Sequence, residues 1–97
     1  MNIKFVDLGR QYKIHKEEIL NAILKVLDDG DFILGSDVNK IEASFSKYIG
    51  CKYGVGVDSG SSALVLALSC ANIGIGDEVI TVPNTYISTA YAISECG

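Results

Sequence analysis

Residues 52–82 read KYGVGVDSGSSALVLALSCANIGIGDEVITV, and this stretch decides the fold. Its first part alternates tyrosine and valine with glycine, which predicts a short strand over 53–57. A turn at 58–60 follows, and the alanine- and leucine-rich segment after it predicts a helix over 62–72 that is apolar on most sides. Residues 78–82 predict a second strand. This alternation favours an α/β fold with a parallel sheet and right-handed crossovers.

Helical patterns flank this stretch on both sides. After the break at Pro83, a further helix is predicted to begin near Thr85 or Ile87 and to run toward Cys96. Before it, apolar spacing predicts amphipathic helices over about 15–29 and from Ser36 or Asp37 to Gly50. Residues 1–12 show no helical period and predict an extended lead-in, while 31–35 fit either a strand or a loop. One parallel strand pair cannot cover its own faces, so we expect 1–97 to be part of a larger domain.

Composition and charge exclude several classes of protein. With 97 residues, 48% of them hydrophobic and 21% charged, the chain is globular rather than disordered. The net charge of −4, with acids and bases interspersed, gives nucleic acid little reason to bind. No apolar stretch reaches the ~18 residues that a membrane span needs, and the first ten or so residues lack a signal-peptide pattern. We therefore expect a cytoplasmic protein with no membrane or nucleic-acid partner.

The cysteines do not predict a disulfide framework or a metal site. Cys51, Cys70 and Cys96 are odd in number and widely spaced, so we expect free thiols that are buried or half-buried and no bound metal. A nucleophilic cysteine would need a base beside it. The only histidine, His15, lies in a polar stretch at a predicted helix start, which disfavours this reading.

The turn at Asp58–Leu64 is the first candidate binding site. It joins a strand end to a helix start and carries three serine hydroxyls, at Ser59, Ser61 and Ser62. Free backbone N–H groups, the helix dipole and hydroxyls can together hold a phosphate group. The alternative is that the serines only cap the helix. Neither a nucleotide P-loop nor a dinucleotide fingerprint is present, so the anion would belong to another kind of ligand.

Tyr86 marks the second candidate site, just after the end of the second predicted strand. Ligands of parallel α/β sheets bind at that end, and a tyrosine ring can stack on a planar heteroaromatic cofactor. Asn84, Thr85, Ser88 and Thr89 could add hydrogen bonds. The alternative is a tyrosine packed at the helix entry. Because neighbouring parallel strands place their loops side by side, one ligand could touch both sites.

Several spaced blocks carry a resemblance to a known family. They are Phe5–Leu8, Arg10–Tyr12, Phe32–Gly35, Ser59–Leu64, Gly76–Thr81 and Thr85–Tyr86. In order and spacing the chain resembles the DegT/DnrJ/StrS family of pyridoxal-phosphate-dependent sugar aminotransferases. The resemblance implies the incomplete large domain of a fold-type I transferase. Residues 1–50 would form its lead-in and two helices, and 51–97 a strand-helix-strand-helix unit, in a protein that is a homodimer at full length.

The resemblance also implies roles for individual residues. Gly60, Ser61 and Ser62 would bind the phosphate of pyridoxal 5'-phosphate, and Tyr86 would stack on its ring. The family more often has threonine and alanine in place of the two serines, but serine keeps the hydroxyl of the first and a backbone N–H in both. The block expected on the substrate side of the cleft consists of Tyr12, Phe32, Leu34 and Gly35.

The implied activity is transfer of an amino group, with glutamate as donor, to a nucleotide-linked keto sugar in polysaccharide or amino-sugar biosynthesis. In the family a lysine forms a Schiff base with the cofactor and an acid pairs with the pyridinium nitrogen. Both are expected beyond Gly97, so no catalytic residue is assigned and the 97-residue chain alone is expected to be inactive. Two alternatives stay open, namely a non-catalytic remnant and a sugar dehydratase of the same family with histidine at the lysine position.

Overall fold

The computed structural model describes residues 3–97 and contains four helices in that range. They are α1 (Leu8–Asp29), α2 (Ser36–Ile49), α3 (Gly60–Cys70) and α4 (Ser88–Glu95). The chain divides into two compact units, Met1–Gly54 and Val55–Gly97. No helix in the described range combines the length and the apolar character that crossing a membrane requires.

Helix α1 begins earlier than the apolar pattern predicts, so the extended lead-in over 1–12 is wrong from Leu8 onward. The Asp7 side chain accepts a hydrogen bond from the Arg10 backbone N–H at 3.1 Å and caps the helix there. His15 has non-helical angles, φ −106° and ψ 15°, and marks a kink near the predicted start. Gly30 ends the helix with a left-handed φ of 66°, as predicted.

A carboxylate holds the loop between α1 and α2, which contains no strand. Oδ2 of Asp31 accepts a hydrogen bond from the Ser36 backbone N–H at 3.0 Å, at the start of α2. A Cβ atom on Gly35 would lie 2.6 Å from the same oxygen, so only glycine fits beneath it. Between them Leu34 adopts a left-handed φ of 52°, which is unusual for a residue with a branched side chain. Asp31 therefore ties this strained loop to the start of α2.

Helices α3 and α4 pack against each other and form the second unit. Ser61 Oγ lies 2.7 Å from Ser88 Oγ, and Ser69 Oγ lies 3.8 Å from Cys96 Sγ. Both pairs are separated by 27 residues along the chain. Because the offset is unchanged two turns further along, the two helices run parallel with their amino termini at the same end. Ala92, between the two contacts, is 1% exposed and allows this close approach.

The two predicted strands, at 53–57 and 78–82, are absent: within residues 3–97 neither segment has regular secondary structure. A strand is stabilised by hydrogen bonds to a neighbour, and parallel strands also need both faces covered. The side chains in these segments lack that cover, since Val55 is 81% and Ile80 is 100% exposed. The predicted start of a parallel sheet is therefore not confirmed.

Little apolar surface is buried in the described residues, among which Ala92 is the one buried hydrophobic side chain. The apolar face of α1 is half exposed along its length, as at Ile23 and Leu27. The prediction of buried thiols is also wrong in part. Cys51 and Cys70 are exposed and only Cys96 is half-buried, although all three are free as expected.

Replacing Gly35 by alanine should destabilise the protein. The new Cβ would meet the Asp31 carboxylate at 2.6 Å and its backbone carbonyl oxygen at 2.7 Å, so the loop must move. Overpacking of this kind costs about 1–3 kcal/mol in the free energy of unfolding, measurable by urea denaturation. Gly9→Ala is the matched control. Gly9 lies in α1, and a Cβ atom there would be 3.5 Å from its nearest neighbour, Oδ1 of Asp7, which is an ordinary contact distance. It should instead stabilise by roughly 0.5–1 kcal/mol; equal effects of the two substitutions would contradict the proposed clash.

Enlarging Ala92 should separate α3 from α4. Ala92→Leu adds three carbon atoms at a position that is 1% exposed, and we expect a loss of about 1–3 kcal/mol in the free energy of unfolding. Ala90→Leu makes the same chemical change at an exposed position of α4 and should cost less. Thermal denaturation of both variants checks this prediction. An equal fall in Tm for the two variants would contradict a specific role of Ala92 in the contact between α3 and α4.

Candidate functional site

The turn before α3 is organised by Ser59, the N-cap of the helix. Its backbone is extended, with φ −155° and ψ 160°, and its Oγ accepts a hydrogen bond from the Ser62 N–H at 3.1 Å. The same Oγ lies 3.0 Å from Ser62 Oγ, and the Ser59 carbonyl accepts from the Ala63 N–H at 3.0 Å. Ser59 and Ser62 are therefore engaged with each other in closing the turn.

This capping leaves two donors of the first turn without an acceptor. The first N–H groups of a helix have no partner within the helix, and Ser59 takes only those of Ser62 and Ala63. Within residues 3–97 no acceptor is found for the N–H groups of Gly60 and Ser61. The space where Gly60 would carry a Cβ is also open, with no atom within 4 Å. These two N–H groups are therefore the donors that the turn could offer to an anion.

The Ser61 hydroxyl connects this turn to the start of α4. It lies 2.7 Å from Ser88 Oγ, and both serines are half-buried. Because the two helices are parallel, their amino termini and the positive ends of both dipoles meet at this contact. Each helix end is equivalent to roughly half an elementary positive charge. The two helix ends thus favour an anion at the amino-terminal side of this contact.

An open cleft of about 450 Å³ runs along the sides of the two helices. Its lining consists of Asp58, Ser61, Ser62, Val65, Leu66, Tyr91 and Glu95. The two carboxylates would repel a phosphate dianion placed inside it. A phosphate group is therefore better placed at the open end of α3, where the N–H groups point along the helix axis, than on the side of the helix.

Tyr86 lies two residues before α4, where its carbonyl accepts a hydrogen bond from the Thr89 N–H at 3.1 Å. Its side chain is 77% exposed, so the ring is not packed at the helix entry. It borders a groove of about 340 Å³ whose other lining residues are Thr81, Val82, Pro83, Thr85, Ile87 and Ala90. The ring therefore offers an accessible face beside the amino terminus of α4.

The residues expected on the substrate side all lie in the first unit. Tyr12 is on α1, and Phe32 and Leu34 are exposed residues of the loop that Asp31 holds. Gly35 is the N-cap of α2. Phe32 also lines an apolar groove of about 470 Å³ beside α1, with Ile23 and Val26 among its neighbours. Their role in substrate binding stays a prediction.

Ser59 forms the helix cap that the sequence offers as the alternative for this serine turn, at a spacing of three from Ser62. Two other residues acquire structural roles that the motifs did not reveal. Ser88 contacts Ser61, although its place after Pro83 had suggested only a general hydrogen-bonding role. Asp31 precedes its partner Ser36 by five residues, a local spacing with no standard motif. In the described part of the chain, no cluster of acidic, histidine and cysteine side chains could hold a metal ion.

Comparison with known proteins relates the chain to a family of aminotransferases. A family model described as the DegT/DnrJ/EryC1/StrS aminotransferase family matches residues 13–97. The chain is 41% identical over 97 residues to a "Pleiotropic regulatory protein" of Geobacillus stearothermophilus, covering 100% of this chain and 26% of that protein. It is 43% identical over 95 residues to dTDP-3-amino-3,6-dideoxy-alpha-D-galactopyranose transaminase of Aneurinibacillus thermoaerophilus, with 98% and 26% covered.

A solved structure shows the same similarity in three dimensions. The crystal structure of DesV from S. venezuelae in complex with a ketimine intermediate superposes with a TM-score of 0.91 at 42% sequence identity. The match covers 98% of this chain and 26% of DesV, so the chain spans about a quarter of the proteins it resembles. The family match extends over most of the sequence and agrees with the structural match. The chain therefore belongs to the DegT/DnrJ/EryC1/StrS aminotransferase family.

Proposed function

We propose that this chain is the amino-terminal part of a pyridoxal-phosphate-dependent aminotransferase that acts on a nucleotide-linked keto sugar, with glutamate as the amino donor. Membership of the family and the transaminase from Aneurinibacillus support the reaction class. The observation that carries the proposal is the meeting of two helix amino termini at the 2.7 Å contact between Ser61 and Ser88. The product would enter polysaccharide or amino-sugar biosynthesis in the cytoplasm.

The phosphate of the cofactor would be held at the start of α3. The N–H groups of Gly60 and Ser61 would donate to it, and the Ser61 hydroxyl would add a third hydrogen bond. Ser62 was expected to contact the phosphate as well, but its N–H and hydroxyl are engaged with Ser59. We therefore propose that Ser62 supports the turn and that Gly60 and Ser61 make the direct contacts.

Tyr86 would position the ring of the cofactor, which supplies the electron-withdrawing pyridine that amino transfer requires. Its side chain is exposed and stands beside the helix start that Ser88 shares with the phosphate turn. An aromatic face there limits tilting of the bound ring and excludes water from one side. Phe32 and Leu34, on the loop held by Asp31, are proposed to line the substrate side together with Tyr12 and Gly35.

The parallel helices are consistent with the proposed α/β large domain. Helices that follow successive parallel strands each run back antiparallel to those strands, so they are parallel to each other, and right-handed crossovers in the same direction place them on one side of the sheet. Helices α3 and α4 have this arrangement, with a constant offset of 27 residues. We propose that 53–57 and 78–82 become neighbouring strands of that sheet, and that the whole protein forms a homodimer.

Expression of the whole reading frame tests the function. The purified protein is mixed with pyridoxal phosphate, and a visible absorption band that borohydride fixes covalently to a lysine is the expected result. Turnover is then followed with glutamate and a dTDP-linked 3-keto sugar. A cofactor-dependent loss of water from the sugar, with no amino transfer, would favour the dehydratase. A folded protein that forms no adduct would overturn the proposal in favour of the remnant.

Removing the ring of Tyr86 should weaken cofactor binding. Aromatic stacking is worth about 0.5–1.5 kcal/mol, so Tyr86→Ala should raise the Kd for pyridoxal phosphate by roughly 2- to 13-fold. Tyr86→Phe keeps the ring and is the matched control, expected to stay within about twofold of the original protein. Titration followed by absorbance gives both constants. If the two variants bind equally well, the ring does not stack on the cofactor.

A further inference from the structure

We propose that Ser88 is a positioning residue, which orients the Ser61 hydroxyl so that it donates its hydrogen to the cofactor phosphate. This inference rests on the proposed function. The contact that carries it is the 2.7 Å hydrogen bond between the two hydroxyls, which is half-buried and joins α3 to α4. That distance is typical of a well-formed hydrogen bond between hydroxyl groups.

The hydrogen-bond donors and acceptors of the turn support this role. A serine hydroxyl has one hydrogen to donate and can accept two. Ser59 and Ser62 are engaged with each other, at 3.0 Å between their Oγ atoms, and of the three hydroxyls that of Ser61 bonds to the second helix. If Ser88 donates to Ser61, the Ser61 hydrogen is left for a phosphate, which only accepts. If Ser61 instead donated to Ser88, only its lone pairs would be left to face the anion, which is unfavourable. A bound phosphate would therefore favour the arrangement in which Ser88 donates to Ser61.

The hydrogen bond also restricts the rotation of Ser61. A serine side chain has three staggered positions about its Cα–Cβ bond, and an unrestrained hydroxyl samples them. Holding one position in advance is worth a factor of about three in affinity, and donation by Ser88 also polarises the Ser61 O–H bond. We therefore expect Ser88→Ala to weaken binding of pyridoxal phosphate by about 3- to 10-fold.

A purely structural role for Ser88 would give a different result. The same hydrogen bond ties α3 to α4, and losing it could loosen the whole unit. In that case Ser88→Ala would lower the Tm and weaken all ligands alike. If Ser88 acts through Ser61 on the phosphate, the loss is confined to ligands that carry a phosphate. Pyridoxal, which has the same ring without the phosphate, separates the two explanations.

The test uses the protein expressed from the whole reading frame and freed of cofactor. Equilibrium Kd values for pyridoxal phosphate and pyridoxal are measured by absorbance for the original protein, Ser88→Ala, Ser61→Ala and the double variant. Ser69→Ala is the matched control, because it removes the hydroxyl from the other contact of the same helix pair, 3.8 Å from Cys96 Sγ. We expect Ser88→Ala to raise the Kd for pyridoxal phosphate but not the Kd for pyridoxal. In the double variant, Ser88→Ala should raise the Kd no further than Ser61→Ala alone does. Ser69→Ala should change neither Kd.

Three outcomes overturn the inference while leaving the function intact. The first is an unchanged Kd for pyridoxal phosphate in Ser88→Ala. The second is an equal loss of affinity for pyridoxal phosphate and pyridoxal. The third is a loss of affinity from Ser88→Ala that is just as large when Ser61 is already alanine. A different outcome separates the two proposals. If the original protein binds pyridoxal phosphate no better than pyridoxal, the phosphate site itself is wrong and both proposals fall.

Discussion

The parallel register of α3 and α4 is the constraint on which the candidate site depends. Two contacts with the same offset of 27 residues, at Ser61–Ser88 and at Ser69–Cys96, fix the helices against both sliding and reversal. An antiparallel pair would place the start of one helix beside the end of the other, so that their dipoles cancelled. The parallel pair instead concentrates two positive ends at one point. The near-complete burial of Ala92 keeps them close enough for two serine side chains to meet.

Within that geometry, the serines of the turn differ in the hydrogen bonds that they make. Ser59 and Ser62 satisfy each other, and in doing so they fix the first turn of α3. Among the described residues, no acceptor bonds the N–H groups of Gly60 and Ser61, which remain the available donors of this turn. Gly60 is exposed, so water can solvate its N–H group, and a bound phosphate would take the place of that water.

The sequence predicts most of the helices but not how they start or what lies between them. Gly50 and the apolar spacing give α2 almost residue by residue, because those signals are local. A side-chain cap from Ser36 or Asp37 is wrong, since the N-cap is Gly35 and the helix has no side-chain cap hydrogen bond from it. The start of α1 was missed because the Asp7 side chain can cap a helix whose first turns carry no apolar period. The strands were predicted from side-chain type alone, whereas a strand also needs a hydrogen-bonded neighbour. Similarly, the serine turn is visible in the sequence, but its partner Ser88 is set by the path of the intervening chain.

The composition of α3 shows how packing and chemistry are separated along one helix. Its sequence, GSSALVLALSC, has polar side chains in the first turn and again only at Ser69, with apolar or small residues between. Leu64 and Leu66 are 40% and 50% exposed, so this middle part presents apolar surface on more than the side that meets α4. Apolar surface on several sides is typical of a helix packed between layers, which is where the proposed large domain would place α3. Burial of the middle would then hold the helix rigidly while its hydroxyl-bearing end stays open, which is the arrangement that a precisely placed phosphate requires.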